Sequence, residues 1–249
     1  MKLFDFVDYA AYINLDKRLD RKIAFEKHFQ ELGILQYVNR IPAITPHKLV
    51  EMMDIPANLP ENIKLGDDFN AHCCWVGHAI GIGHAKKMGC KNALIFEDDA
   101  LFYMNNFYNP VDLVTSALAQ LKNISKWDIV YLGGIMDPHN KFSTYELVSP
   151  NLIRVVDRVF GAHAILYNHT MFEKLLYDVS NFDINDPPMP ADFYLDKNFK
   201  NKYMVYPLAA AQNDNFISDI ASGQQRDYNM PGKWVESYKR FQKKLKIAF

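Results

Sequence analysis

Short runs of apolar residues alternate along the chain with longer stretches in which apolar positions recur every three or four residues, a pattern that predicts strands interleaved with helices. Residues 9–15 form a buried strand, and residues 16–32 carry Leu19, Ile23, Phe29 and Leu32 at near-helical spacing before Gly33. Residues 36–41 read as a second strand, ended by Pro42. Between 42 and 70 Pro, Asp and Asn dominate and periodicity is weak, so an irregular excursion is expected, with one short helix at 47–53. Residues 71–88 predict a helix whose Gly77, Ala79, Gly81, Gly83 and Ala85 allow close backbone approach, stopped by Gly89. Residues 93–96 form a buried strand.

Further on, 112–122 reads as a helix, 127–132 as a strand turned by Gly133 and Gly134, and 147–159 as alternating antiparallel strands. A strand over 161–167 and a helix over 170–177 follow; a Pro-rich connection over 186–190 leads to a short segment at 191–199, and 203–206 is the last clear strand. Strands and helices alternate in the first half and mix in the second. The expected fold class is therefore α/β, a mixed central sheet flanked by helices with an antiparallel edge. No internal repeat and no low-complexity tract interrupts it.

At 249 residues, 49% hydrophobic and 14% aromatic, the chain is long enough for one large core. Its formal net charge of −1 gives no global field for a nucleic-acid backbone, so nucleic acid is not an expected partner and any anion binding must be local. Cys73, Cys74 and Cys90 are odd in number and two are adjacent, which suits buried thiols in a reducing compartment better than disulfides. Cys73, Cys74 and His78 lack a second pair of ligands, so zinc is not expected. Asp5 and Asp8 interrupt the start of the chain where a secretory signal would be apolar, and no uncharged apolar run is long enough to span a bilayer; the expected location is the cytoplasm. Residues 233–249 hold six Lys/Arg against one Glu, with Trp234, Tyr238, Phe241, Gln242 and Leu245 on one face. That segment reads as a basic amphipathic helix, either docked on the domain or in peripheral contact with an anionic membrane face.

Chemistry concentrates at Glu97, Asp98 and Asp99, three acids at the carboxyl end of a buried strand, where open α/β sheets bind ligands. Like charges this close raise one another's pKa unless a cation neutralises them, and an oxygen-only donor set suits Mg²⁺ or Mn²⁺ bridging carboxylates to phosphates. The bland reading is an acidic surface turn. Arg18 and Arg21 follow the first strand, either as forks for phosphate and nucleotide or as surface arginines on a first helical turn.

These pieces together resemble glycosyltransferase family 25, which contains lipooligosaccharide galactosyltransferases of bacteria and the collagen galactosyltransferases. The matching segments run in order over roughly residues 9–220: Ile13, Asn14 and Leu15 with Arg18 and Arg21; Ile41, Pro42 and Ala43; Cys74 to His78; Ala93 to Asp99; Gly161 to Ala164; Pro190, Ala191 and Asp192; Gln212; and Ser218, Asp219 and Ile220.

The resemblance implies a GT-A-like nucleotide-binding fold, here a single catalytic domain over 1–232, and a metal-dependent hexosyl transfer that inverts the anomeric centre. The donor would be a nucleotide diphosphate sugar, UDP-galactose by family analogy, and the acceptor a glycan or glycolipid hydroxyl, as in lipopolysaccharide biosynthesis. Asp99 and Glu97 would hold Mn²⁺ or Mg²⁺, with Asp98 supporting. Asn14, Leu15, Arg18, Arg21, Ala43 and Gln212 would line the donor site, with His78 either touching substrate or merely satisfied within its helix. Gly77 stands where the family usually has serine. Asp192 would be the base that takes the acceptor proton, the competing reading being a helix cap. Near the carboxyl end the chain offers Gln212, Asn213 and Asp214 where such enzymes commonly have a metal-binding histidine, which predicts weaker metal binding. A non-catalytic sugar- or nucleotide-binding module, and a transferase acting on protein or modified nucleic acid, are the alternatives.

Overall fold

The computed structural model describes residues 2–52, 67–103, 108–136, 145–156, 158–181, 190–213, 215, 216 and 219. The elements run β1 (Tyr9–Asn14), α1 (Leu19–Glu31), β2 (Val38–Pro42), α2 (Pro46–Met52), α3 (Asp67–Lys87), β3 (Asn92–Glu97), β4 (Ala100–Phe102), α4 (Pro110–Leu121), β5 (Ile129–Tyr131) and β6 (Ile135–Met136). They continue with β7 (Tyr145–Ser149), β8 (Leu152–Val155), β9 (Val159–Phe160), β10 (Ala164–Asn168), α5 (Phe172–Ser180), α6 (Ala191–Asn198), β11 (Lys202–Val205) and β12 (Ala210–Gln212). Eight strands make one sheet in the order β2-β1-β3-β10-β5-β11-β8-β7, and β12 with β4, and β6 with β9, form two small ribbons. The fold is mixed α/β, a central sheet flanked by helices.

Alternation along the strands assigns each residue to a layer. Ala11, Ile13, Ile95, Ile165, Tyr167 and Met204 face α3, α5 and α6, packing on Trp75, Ala79, Ile82, Leu175 and Leu195. Their neighbours Ala10, Tyr12, Leu94, Phe96, Leu166 and Val205 face α1 and α4, packing on Phe25, Phe29, Leu113, Val114 and Leu118. Both sheet faces are covered, which is why the strands read as continuous apolar runs rather than alternating ones. Helix α3 lies close because it presents glycine: a Cβ on Gly77 would stand 2.8 Å from Ile13 Cγ2, and one on Gly81 2.6 Å from Ile95 Cδ1. A Cβ at Gly83 would meet Leu176 at an ordinary 3.7 Å.

Three expectations change. Phe29 is buried as expected, but Leu19 and Ile23 do not face the core; they are 60% and 65% exposed, and α1 buries Arg21 and Phe25 beside Phe29. Stacking of Phe25 on Tyr12 at 4.3 Å and Phe29 edge-on to Phe96 at 5.0 Å explains the choice, since each buried aromatic contributes about 1.5–3 kcal/mol and Arg21 meets acids on that face. The antiparallel strands are not confined to the edge, because β10 runs antiparallel between β3 and β5 in the middle of the sheet. Residues 202–205 are not the last strand either: β12 follows and pairs with β4 beyond the acidic run. The amphipathic segment 233–249 lies outside the described residues. No described helix is long and apolar enough to cross a membrane.

Candidate functional site

The carboxyl ends of β1, β2, β3 and β5 and the amino end of β10 share one edge of the sheet, by the parallel pairing of the first three and the reversal of β10. Every described candidate residue collects there, in two groups separated by the plane of the sheet.

The group on the α1 side is built around Asn14. This buried side chain donates to Asp98 Oδ2 at 2.7 Å and to the Arg18 carbonyl at 3.1 Å, and its Oδ1 accepts from Arg40 Nε at 3.0 Å. Its carbonyl accepts from the Ala43 N–H at 2.9 Å, and the Leu15 carbonyl accepts from the Arg18 N–H at 2.9 Å. Arg21 is not a surface arginine: it is 7% exposed, and Nη1 donates to Asp98 Oδ1 at 2.7 Å and Asp99 Oδ2 at 3.2 Å. Burial alone would lower its pKa, and the charges of Asp99 and Asp98 more than reverse that. Arg18 forks onto Asp20 at 2.9 and 2.8 Å and pairs with Asp219. The Phe216 ring lies against both arginines, its centroid 5.9 Å from Arg18 Cζ and 5.4 Å from Arg21 Cζ.

Alternation carries Glu97 to the other face, toward α3. Its Oε1 lies 3.8 Å from His78 Nε2, and His78 Nδ1 lies 3.0 Å from the Tyr167 hydroxyl. The Glu97 contact is not an ion pair, because burial pushes His78 down to about 3 and holds it neutral. Asp192 belongs to this face. It is not the helix cap: Pro190 holds the cap position of α6 without a side-chain bond, and Asp192 Oδ2 accepts from the Gly161 N–H at 3.3 Å. Gly161 adopts φ +92°, where a side chain would be strained and its Cβ would crowd the His163 ring at 3.0 Å. Burial raises Asp192 to about 6; Gly161 opposes the rise, Glu97 adds to it and Arg158 opposes it.

Asp99 stands between the groups. One oxygen pairs with Arg21, while Oδ1 is buried with no hydrogen-bond partner among the described residues. Burial first, and then Glu97, raise its pKa well above the usual carboxylate range, against Arg21 and a hydrogen bond from Gln212. Glu97 is raised in the same way by burial and by Asp98, with Arg21 opposing. Gln212 reaches the site because β12 lies beside β4, Gln212 opposite Ala100, and the Asn213 N–H donates to the Asp99 carbonyl at 2.7 Å.

These carboxylates are partly accessible yet largely ringed by protein, the setting in which a cation is held by few protein ligands and completed by substrate oxygens and water. Among the described residues no group of three or more His, Cys, Asp or Glu side chains is arranged to hold a metal. Glu97 and Asp99 are the two carboxylates left that would hold a cation, near enough for the charge of Glu97 to raise Asp99, and the orphaned Asp99 Oδ1 fits that role. Asp98 is committed to Arg21 and Asn14. A cleft of about 330 Å³ lined by Arg154, Val156, Asp196, Phe199, Lys200 and Lys202 contains none of the candidate residues, and its one acid is paired to Lys202. Arg40, Tyr167 and Phe216 were not singled out by the sequence. Asp219 stood within a matched segment without an assigned role, and Arg40 is legible only as the polar position beside Tyr12 in the strand pairing.

No family model matches the chain, and no curated protein matches it. Among solved structures, the chain is similar to a mannose-1-phosphate geranyltransferase from Thermus thermophilus, at 14% identity and TM-score 0.42 over 79% of this chain and 73% of that one. It is similar to A197 from STIV at 9% identity and TM-score 0.41, covering 84% and 86% of the two chains. A glycosyltransferase involved in glycosylation of the major capsid of PBCV-1 matches at 9% identity and TM-score 0.34, covering 69% and 65%. Likenesses this distant leave the reading of the site to the chain's own residues.

Proposed function

We propose that the chain is a metal-dependent, inverting hexosyltransferase of the family 25 type, transferring galactose from UDP-galactose to a glycan or glycolipid hydroxyl. The observation that carries the reading is the meeting of Glu97 and Asp99 with Asp192 at one sheet edge, beside Asn14, Arg18 and Arg21. Acids kept together with raised pKa values, one with a buried orphan oxygen, are costly unless function requires them.

In this reading Arg18, Arg21 and the backbone around Asn14, Leu15 and Ala43 hold the nucleotide, and Glu97 and Asp99 hold Mn²⁺ or Mg²⁺. When bound, the cation supplies Lewis-acid stabilisation of the charge that develops on the leaving diphosphate. Asp192 accepts the proton of the acceptor hydroxyl. The acceptor oxygen bonds to C1 of the sugar from one face as the C1–O bond to diphosphate breaks on the other, so the configuration inverts and nucleoside diphosphate leaves. An oxocarbenium-like transition state is expected by analogy with glycoside chemistry. A pKa of about 6 leaves Asp192 mostly ionised at neutral pH and still basic enough to take the proton. The cytoplasmic face of a membrane, reached through residues 233–249, is the proposed place of action.

The test is a panel of uridine, guanosine and cytidine diphosphate sugars with Mn²⁺, following release of nucleoside diphosphate. Turnover is expected with a uridine donor. Absence of both turnover and binding across the panel would overturn the proposal.

A further inference from the structure

His78 and Tyr167 are fully buried, at 0% exposure each, and stand 89 positions apart in sequence. Tyr167 projects from β10 toward α3, and its hydroxyl lies 3.0 Å from His78 Nδ1, with the two rings edge-to-face at 5.9 Å. The other ring nitrogen, Nε2, is buried without a hydrogen-bond partner among the described residues, and the nearest described carboxylate oxygen is Glu97 Oε1 at 3.8 Å. A buried neutral imidazole has one donor and one acceptor, so the tautomer follows from which arrangement leaves fewer groups opposed. Were Nδ1 the donor, the Tyr167 hydroxyl proton would need a further acceptor, and among the described residues the only hydrogen-bond partner of that hydroxyl is His78 Nδ1. With Tyr167 donating to Nδ1, the proton sits on Nε2 and points toward Glu97.

We infer that Tyr167 and His78 form a positioning pair for Glu97: the tyrosine hydroxyl selects the Nε2–H tautomer, and that N–H orients the Glu97 carboxylate toward the cation site. The inference rests on the proposed metal role of Glu97. The 3.8 Å gap is longer than a hydrogen bond, so the proposed contact is electrostatic, between the Nε2–H dipole and the Glu97 carboxyl group. The scaffold makes His78 a stiff anchor, because the neighbouring Gly77 seats α3 directly on Ile13 and Trp75 packs 4.7 Å from Tyr194 of α6. Outer partners of this kind typically change metal affinity by about 10–100-fold when removed.

Two measurements test it. The first uses the unaltered protein: ¹⁵N NMR of histidine-labelled chain at pH 8, with and without Mg²⁺, should show His78 neutral with the proton on Nε2, and a proton on Nδ1 instead would overturn the inference. In the second, Mn²⁺ binding is titrated by electron paramagnetic resonance for wild type, His78→Leu, His78→Gln, Tyr167→Phe and Asp99→Ala. Gln places an amide N–H near the Nε2 position, so His78→Gln should bind Mn²⁺ within about threefold of wild type, and His78→Leu about 10–100-fold more weakly. Tyr167→Phe should fall between. Weakened binding in Asp99→Ala with wild-type binding in His78→Leu would remove the positioning pair and leave the proposed function standing. Unchanged binding in Asp99→Ala as well would show that the metal reading itself had failed.

Discussion

Arg21 donates to Asp98 across 2.7 Å in the protein interior, and that one pairing sets Asp98, held within the protein, apart from Glu97 and Asp99, the proposed cation ligands. With Asp98 also bonded to Asn14, its oxygens are spent within the protein, whereas Glu97 turns to the opposite face of the sheet and Asp99 keeps a buried oxygen with no described hydrogen-bond partner. Removing the arginine strands a buried carboxylate. Arg21→Ala is expected to lower stability by about 3–5 kcal/mol, read by urea unfolding, and adding Asp98→Ala should restore part of that loss. Additive losses in the double variant would contradict the pairing.

Asp99→Ala removes the side-chain contacts with Arg21 and Gln212 but keeps the backbone bond from Asn213, and with Arg21 still paired to Asp98 the fold should persist while turnover falls by at least about 10³-fold, the equivalent of several kcal/mol of transition-state stabilisation. Chelator should reproduce that loss in the wild type and Mn²⁺ should reverse it. Full activity in chelator would end the metal reading.

Activity should depend on pH through Asp192. The base works as the carboxylate, so kcat/KM is expected to rise from pH 5 and level off above an apparent pKa of about 6. Burial raises this group, the Gly161 N–H and Arg158 hold it down, and Glu97 pushes it up, so Arg158→Ala should move the rising limb to higher pH. Asp192→Asn should cost about 10²–10⁴-fold in kcat while leaving donor binding nearly unchanged. A flat profile between pH 5 and 7 would remove Asp192 from the role of base.

Asp219 pairs with Arg18, and also stands 3.6 Å from Lys17 and 3.9 Å from Arg21, on the guanidiniums proposed to hold diphosphate. If anion and carboxylate compete for the same donors, Asp219→Asn should bind nucleoside diphosphate about fivefold more tightly, the equivalent of roughly 1 kcal/mol, by calorimetric titration. Weaker binding would mean that Asp219 builds the site rather than screens it.

Gly133 lies beneath β12, where a Cβ would stand 1.8 Å from the Ala210 carbonyl oxygen. Backbone cannot yield as a side chain can, so Gly133→Ala should displace β12 and with it the Gln212 contact to Asp99. The expected result is a loss of about 1–3 kcal/mol or more, with weakened Mn²⁺ binding that Gly89→Ala does not share. Gly89 has φ +71° but open space around it, which makes it a control for strain without crowding.

The layers and most of the strands were legible because burial on both faces writes apolar runs directly into the sequence, and the acids after residue 96 mark the end of the sheet at which the candidate residues gather. The inward face of α1 was legible only at Phe29. Leu19 and Ile23 satisfy a helical period as well as Phe25 and Phe29 do, and only the aromatics of Tyr12 and Phe96, together with the acids awaiting Arg21, decide which stripe turns inward. Ribbon β4–β12 was equally hidden, since its strands are three residues each and pair across more than a hundred positions.

The residue types and their order were thus determined by the sequence alone: three acids after an apolar strand, two arginines three apart, an aspartate after a Pro-rich connection. What each of them does was decided by the tertiary structure. β3 ends at Glu97, which faces a neutral histidine, and the turn that follows carries Asp98 to the other side, onto a buried arginine. Charge, burial and hydrogen bonding act over a few ångströms of space, and chain order does not encode those distances.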